Sequence, residues 1–202
     1  MTLLHERTTE EKVLKLYNYL LLLLGFLRNP KRVGSLLPSS KWLAQKVVSS
    51  VPWNEVRSIV ELGSGTGAIT RLIQQNISDR TKVFLFERDP GMRKRLNSTY
   101  PDFELNSNAS YLYKKIDQDG LQSVDCIICG LPFFNFSNEM RDRILEQIQS
   151  SLKPGGVLIV YQFSLQMKRT LNKHFIVENI TFVPFNSPPA FVYVCRHKNE
   201  TQ

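Results

Sequence analysis

Cysteine is scarce in this 202-residue chain: Cys126, Cys129 and Cys195 are the only ones. That number excludes the disulfide-stapled scaffold of a small secreted domain, and a reducing, cytoplasmic compartment is expected. Cys126 and Cys129 do spell C-x-x-C, but they fall inside the apolar run 124–129. On a strand, residues three apart face opposite sides of the sheet. A redox pair opens a helix instead, so packing is expected here and no metal site is read from the sequence. Long hydrophobic runs are also missing. The run 19–27 falls far short of the about 20 apolar residues of a membrane-spanning helix. Nor is a secretory signal expected, because Glu6, Glu10 and Glu11 precede that run and no small-residue cleavage site follows it. Acidic residues are outnumbered, 18 against 26 basic ones, for a net charge of +8. An anionic partner is implied, either nucleic acid or an acidic membrane surface.

What is present is globular, since 42% of the residues are hydrophobic and charge density is modest. The pattern divides the chain into an N-terminal segment, 1–37, and one domain, 38–202. From residue 57 onward apolar runs alternate with helical patterns, as in an α/β fold whose open parallel sheet is covered on both faces. Strands are predicted at 58–62, 82–88, 103–106, 124–130, 156–163, 176–184 and 190–196. Helices are predicted at 41–50, 67–76, 90–97, 138–152 and 166–172. Lys153-Pro154-Gly155-Gly156 stops a helix ahead of a strand. No helix separates the last two strands, so they are expected to form an antiparallel hairpin at one sheet edge.

The N-terminal segment carries Val13, Leu14, Leu16, Tyr17, Leu20, Leu21, Leu24 and Leu27 at roughly helical spacing, flanked by Lys12, Lys15, Arg28, Lys31 and Arg32. The apolar arc is wider than a core-facing stripe requires. It suits an amphipathic helix lying in a membrane interface with basic flanks. Packing on the domain, or on a second copy, is the alternative.

The most informative stretch is Ile59-Val60-Glu61-Leu62-Gly63-Ser64-Gly65-Thr66-Gly67, followed at once by the helical pattern from Ala68. A strand, a glycine turn and a helix let a nucleotide lie against bare backbone at a helix N-terminus. A second acid, Glu87, ends the next apolar run roughly 20 residues on, where such folds hold a ribose hydroxyl. Gly63-x-Gly65-x-x-Ala68 satisfies a dehydrogenase fingerprint literally. Against a nicotinamide cofactor stand the late position of the turn, the little chain left for a substrate domain, and the expected antiparallel hairpin.

Glu61-Leu62-Gly63-Ser64-Gly65-Thr66-Gly67 resembles the first motif of class I S-adenosylmethionine-dependent methyltransferases. Glu87 matches that family's ribose-binding acid, and Lys153-Pro154-Gly155-Gly156 its turn before the fifth strand. The resemblance implies a Rossmann-like, seven-stranded, mostly parallel sheet with an antiparallel C-terminal hairpin, and S-adenosylmethionine as cofactor. Its implied cofactor residues are Glu61, Gly63, Ser64, Gly65, Thr66, Gly67, Glu87, Arg88, Asn108, Ala109, Gly130 and Leu131. Asn108 departs from the family's usual acid, and its amide oxygen can accept only as a neutral group.

More narrowly, 33–40, Gly130-Leu131-Pro132-Phe133-Phe134 and Asn186-Ser187-Pro188-Pro189-Ala190 are similar to the bacterial phospholipid N-methyltransferases. Those enzymes convert phosphatidylethanolamine stepwise towards phosphatidylcholine and carry an N-terminal membrane-binding helix. The resemblance implies a phospholipid substrate at an anionic membrane surface, and a peripherally membrane-associated protein. The rival within the fold is an RNA adenine methyltransferase, whose fourth strand ends in an asparagine that clamps a flipped base. Here Gly130 holds that place without a side chain. A cofactor-binding module that recruits a protein partner is a third reading. Substrate-side candidates are Ser39, Ser40 and Pro132, with Phe133, Phe134, Tyr161 and Tyr193 either lining a cage for methylated amines or simply packing. Lys31 and Arg32 either hold a lipid phosphate or are surface charge. No residue stands out as a catalytic base; His174 and His197 are candidates or ordinary surface histidines.

Overall fold

The computed structural model describes residues 39–198, so the expected N-terminal amphipathic helix, with Lys31 and Arg32, lies outside the described residues. Helix α1 (Lys41–Ser49) begins where the Ser40 hydroxyl accepts from the Leu43 amide at 3.2 Å, and it buries Leu43, Ala44, Val47 and Val48 on one stripe. Strand β1 (Ser58–Leu62) is buried along its whole length, which marks it as central. Then come α2 (Ala68–Asn76), β2 (Lys82–Phe86), α3 (Pro90–Thr99) and β3 (Glu104–Asn106). Helix α3 starts sharply, with Pro90 in its first turn and the Asp89 carboxylate capping the Met92 amide at 2.7 Å. A short helix, α4 (Leu112–Gln118), precedes β4 (Val124–Cys129), and the sequence pattern did not reveal it. The chain ends with α5 (Asn138–Ser151), β5 (Leu152–Gln162), α6 (Lys168–His174), β6 (Phe175–Val183) and β7 (Ala190–His197).

The strands form one sheet in the order β3-β2-β1-β4-β5-β7-β6. The first five pair in parallel, whereas β7 runs antiparallel to both β5 and β6. The expected terminal hairpin is therefore present, with β6 at the edge and β7 inserted between it and β5. Because β7 reverses direction twice over, β6 points the same way as β5, and its C-terminal turn opens on the end of the sheet where the parallel strands finish. Strand order reverses between β1 and β4, and in an open α/β sheet ligands bind beyond the carboxyl ends at that point.

Each face of the sheet carries its own core. Val60, Leu62, Ile127 and Cys129 pack with α4, α5 and α6, and Ile59, Cys126 and Ile128 pack with α1 and α2. The two cysteines thus sit on opposite faces of β4, as the strand reading expected. Burial raises both thiols, that of Cys129 to about 12, so neither forms a reactive thiolate near neutrality.

At the opposite end of the sheet Asp125 joins β1 to β4. Its Oδ2 accepts from the Arg57 and Ser58 amides at 2.9 Å each and from the Ser58 hydroxyl at 2.8 Å, and Oδ1 pairs with Lys153. Burial opposes the charge, but Lys153 and these donors together hold the carboxyl below its usual range. Replacing Asp125 by Ala is expected to cost about 1–3 kcal/mol, since the Ser58 donors lose their acceptor. A lowered folded pKa gives stability that exists above the unfolded value and is lost as pH falls through the folded one. The difference between wild type and Asp125→Ala in urea unfolding should therefore shrink below about pH 4.

Candidate active site

The segment after β1 turns on three glycines in left-handed backbone: Gly63 (φ 83°), Gly65 (φ 53°) and Gly67 (φ 82°). Side chains rarely adopt that conformation, which explains the alternation in the sequence. A Cβ at Gly65 would meet nothing within 4 Å, so this turn presents bare backbone to open space. Gly67 caps α2, whose amides begin at the turn.

The turn is tied to the end of β2 through Glu87. Its Oε2 accepts from the Gly65 amide at 2.7 Å and its Oε1 from the Asp89 amide at 2.8 Å. Each carboxylate oxygen keeps a further lone pair for a ligand hydroxyl. The Gly63 and Ser64 amides donate to the Phe86 carbonyl at 2.7 and 3.2 Å, closing the same junction. Arg93 clamps the next bend, donating to the carbonyls of Glu87 at 3.1 Å and Arg88 at 2.6 Å.

Glu61, the penultimate residue of β1, lies beneath the turn and is 1% exposed. Burial, helped by the nearby Glu87 charge, raises its carboxyl from 4.5 to about 8. The Thr70 hydroxyl, donating to Glu61 Oε2 at 2.6 Å, opposes the shift. Ser64 pulls the same way, although its hydroxyl falls short of a full hydrogen bond.

Beyond β3, Asn108 caps a 3-10 turn, its Oδ1 accepting from the Ser110 amide at 2.9 Å. One of its two acceptor positions is therefore already used, and Ala109 follows inside the turn. Beyond β4, the Gly130 amide donates to the Leu62 carbonyl at 2.9 Å, and Gln162 Nε2 holds the Leu131 carbonyl at 2.8 Å. Gly130 lies directly under Tyr161. An added Cβ would overlap the Tyr161 hydroxyl and Cζ and would stand 2.9 Å from Cε1. The Ser39 side chain lies beside the Tyr161 hydroxyl and favours its ionised form. Burial first, and the Glu61 carboxyl second, push that hydroxyl well above its ordinary range, so it stays neutral.

The structure thus gathers Glu61, Gly63–Gly67, Glu87, Asn108, Gly130, Leu131, Ser39 and Tyr161 at one end of the sheet. Two proposed cage residues do not stand in an open site. Phe133 is fully enclosed and packs edge-on against Phe136 at 5.9 Å between ring centroids. Tyr193 is likewise enclosed, and its hydroxyl donates to the Ser164 carbonyl at 3.0 Å. Tyr193 pairs with Val160, the residue before Tyr161. Side chains alternate along a strand, so the two tyrosines face opposite sides of the sheet and cannot share one cage. Pro132 and Phe134 lie on the partly exposed loop after Gly130. His174 packs beside Phe175 at the foot of β6, at the far end from the glycine turn, and faces Gln149 at 3.3 Å.

Sequence reasoning assigned no role to Gln162 or Asn186. Asn186 is buried; its Oδ1 accepts from the Ser40 amide at 2.9 Å and its Nδ2 donates to the Pro188 carbonyl. It fastens the turn between β6 and β7 to the start of α1 and so sets Ser39 over the site. The signal was a polar residue inside an otherwise apolar and proline-rich stretch, which points to a partner without naming one.

Residues 59–156 match a family model described as a methyltransferase domain. The ornithine lipid N-methyltransferase of Singulisphaera acidiphila is 29% identical over 91% of this chain and 98% of its own length. The chain carries a methyltransferase domain with the fold of the class I S-adenosylmethionine-dependent enzymes. A ubiquinone/menaquinone biosynthesis C-methyltransferase of Methylococcus capsulatus is 30% identical, but over 63% of this chain and 51% of its own length. In fold, the methyltransferase superposes on the N-methyltransferase NodS of Bradyrhizobium japonicum bound to S-adenosyl-L-homocysteine, with a TM-score of 0.63 and 9% identity over 78% of this chain and 88% of that one. The donor set is compatible with S-adenosylmethionine, since bare backbone faces open space at Gly65 and the doubly anchored Glu87 carboxylate keeps lone pairs for hydroxyls.

Glu87→Ala should weaken S-adenosylmethionine binding by about 1.5–3 kcal/mol, roughly 10- to 150-fold in Kd, as read by calorimetry on folded protein. Glu61→Gln should change the pH profile of stability. A raised folded pKa gives stability that is full below the unfolded value and lost as pH rises through the folded one. Wild-type stability should therefore fall between pH 4.5 and about 8, the range of the Glu61 shift. The limiting slope is about 1.4 kcal/mol per pH unit. Thermal melts of Glu61→Gln should lack that slope and exceed wild type at the alkaline end.

Proposed function

We propose that this methyltransferase N-methylates the amino head group of a lipid, phosphatidylethanolamine towards phosphatidylcholine, at the cytoplasmic surface of a membrane. The observation that carries the reading is the pairing of Gly130 with Tyr161, supported by the end-to-end relationship to an ornithine lipid N-methyltransferase. An adenine methyltransferase needs an amide side chain after its fourth strand, and here the Tyr161 ring occupies that space. Ethanolamine and ornithine lipids both present a primary amine on a flexible arm, which requires no planar clamp.

Bound at the glycine turn, S-adenosylmethionine supplies a methyl group already activated by its sulfonium. The protein contributes position, which accounts for most of the acceleration in such a transfer. The Gly130 carbonyl and the neutral Tyr161 hydroxyl offer acceptors for the N–H groups of an amine. The Leu131 carbonyl is already taken by Gln162 Nε2 and the Phe133 amide, which fix the strand-end loop. The partly buried Tyr161 ring also offers a face to a cation, so the product ammonium, which must release a proton before it can accept another methyl, keeps an attractive contact as methyl groups replace its hydrogen-bond donors.

Radiolabelled S-adenosylmethionine, presented with phosphatidylethanolamine vesicles, ornithine-lipid vesicles and ribosomal RNA in separate reactions, tests the reading. Label is expected in lipid, and mass spectrometry should show additions of one methyl unit. Label in RNA with none in lipid would refute it. Tyr161→Phe should retain cofactor affinity and lower kcat by roughly tenfold, the order of one neutral hydrogen bond.

A further inference from the structure

The turn between β6 and β7 carries Phe185, 71% exposed, and the first turn of α1 carries Trp42, 51% exposed. Their ring centroids lie 5.8 Å apart, and Lys41 Nζ stands 5.2 Å from the centre of the Trp42 ring. Two large aromatic rings held in water next to a cation are costly for a protein that keeps them exposed. At a bilayer boundary, the same combination is favoured, because indole and phenyl rings enter the headgroup level while lysine meets phosphate.

Place reinforces chemistry. Phe185 precedes Asn186, whose side chain accepts from the Ser40 amide; Ser39 lies beside Tyr161, and Tyr161 covers Gly130. The aromatic pair is thus a few residue contacts from the strand end where the amine is held. Other exposed large apolar residues gather at the same end of the sheet. Tyr111, Met140 and Leu165 occupy the turns or helix starts that follow β3, β4 and β5. Tyr111 again carries a cation, with the Arg143 guanidinium 5.7 Å from its ring centre. Apolar rings topped by positive charge match an anionic lipid surface in both respects.

We propose that the Trp42–Phe185 pair, with Lys41, docks this methyltransferase on the lipid–water interface and so holds the Gly130 end of the sheet against the head groups. This inference rests on the lipid reading above and adds the face and the residues that meet the bilayer. It does not involve the N-terminal segment. Docking at this end has a direct consequence for catalysis: a lipid amine need rise only out of the headgroup layer, not out of the membrane, to reach Tyr161.

The test uses the full chain. The protein has two tryptophans, and Trp53 is partly buried with its indole N–H donating to the Val48 carbonyl. Trp53→Phe therefore leaves Trp42 as sole reporter. Adding vesicles of phosphatidylglycerol and phosphatidylethanolamine should shift its emission to the blue and protect it from acrylamide. The variant Trp42→Ala/Phe185→Ala should lose vesicle affinity by about tenfold or more, which is about 1.4 kcal/mol. Its methylation of vesicle lipid should fall in parallel. Its affinity for S-adenosylmethionine and its methylation of water-soluble dihexanoyl phosphatidylethanolamine should match wild type. Unchanged vesicle affinity, or no change in Trp42 emission, overturns the inference while leaving the lipid reading intact. Protection of Trp42 from acrylamide before vesicles are added means that another part of the chain covers the pair, and that also overturns it. Failure of wild type to methylate any amino lipid removes both readings together.

Discussion

The Glu87 carboxylate, held between the amides of Gly65 and Asp89, is the contact on which the rest of the site depends. It joins the turn after β1 to the bend after β2, so two strand ends that are merely neighbours in the ladder become one rigid concave edge. A charged acceptor on backbone amides gives a stronger bond than a neutral pair, and here it needs no side-chain rotamer from its partners. Glycine at position 65 serves the arrangement twice: it supplies the left-handed backbone, and it leaves open the space in front of the amide.

Around that edge the sheet distributes its side chains by alternation. β1 and β4 are buried on both faces, so successive residues feed two separate cores, and the C-x-x-C becomes two inert packing thiols. The same alternation separates Tyr161 from Tyr193. One stands over Gly130 and takes part in the site, whereas the other is sealed beneath the sheet against Ser164. Composition treats these two tyrosines alike, and pleat and register distinguish them.

The end of the molecule that gathers the strand termini also gathers exposed aromatic residues, Trp42, Tyr111 and Phe185, and two polar clamps, Gln162 and Asn186. Those clamps hold loops that are remote in sequence: Asn186 reaches Ser40, and Gln162 reaches Leu131. A site assembled this way draws its order, among the described residues, from contacts between loops of one domain. That is consistent with a substrate which is itself anchored and ordered by its surroundings.

The amino-acid sequence by itself determined the alternation of strands and helices, the hairpin at the sheet edge, the glycine turn and the two acids beside it. These are written in local period and in backbone conformations that only glycine tolerates, so neighbouring residues suffice to specify them. Helix α4, Leu112–Gln118, was not legible, because Leu112 and Ile116 alone mark its buried face, a single i, i+4 pair. The acceptor side depended on tertiary structure. Which tyrosine covers Gly130, why no side chain fits there, and which buried amides hold the loops are all set by pairs more than 25 positions apart in the chain, such as Gln162 with Leu131 and Ser40 with Asn186. Only the sheet order, with β7 inserted between β5 and β6, brings the turn bearing Phe185 and Asn186 to the end where the cofactor strands finish.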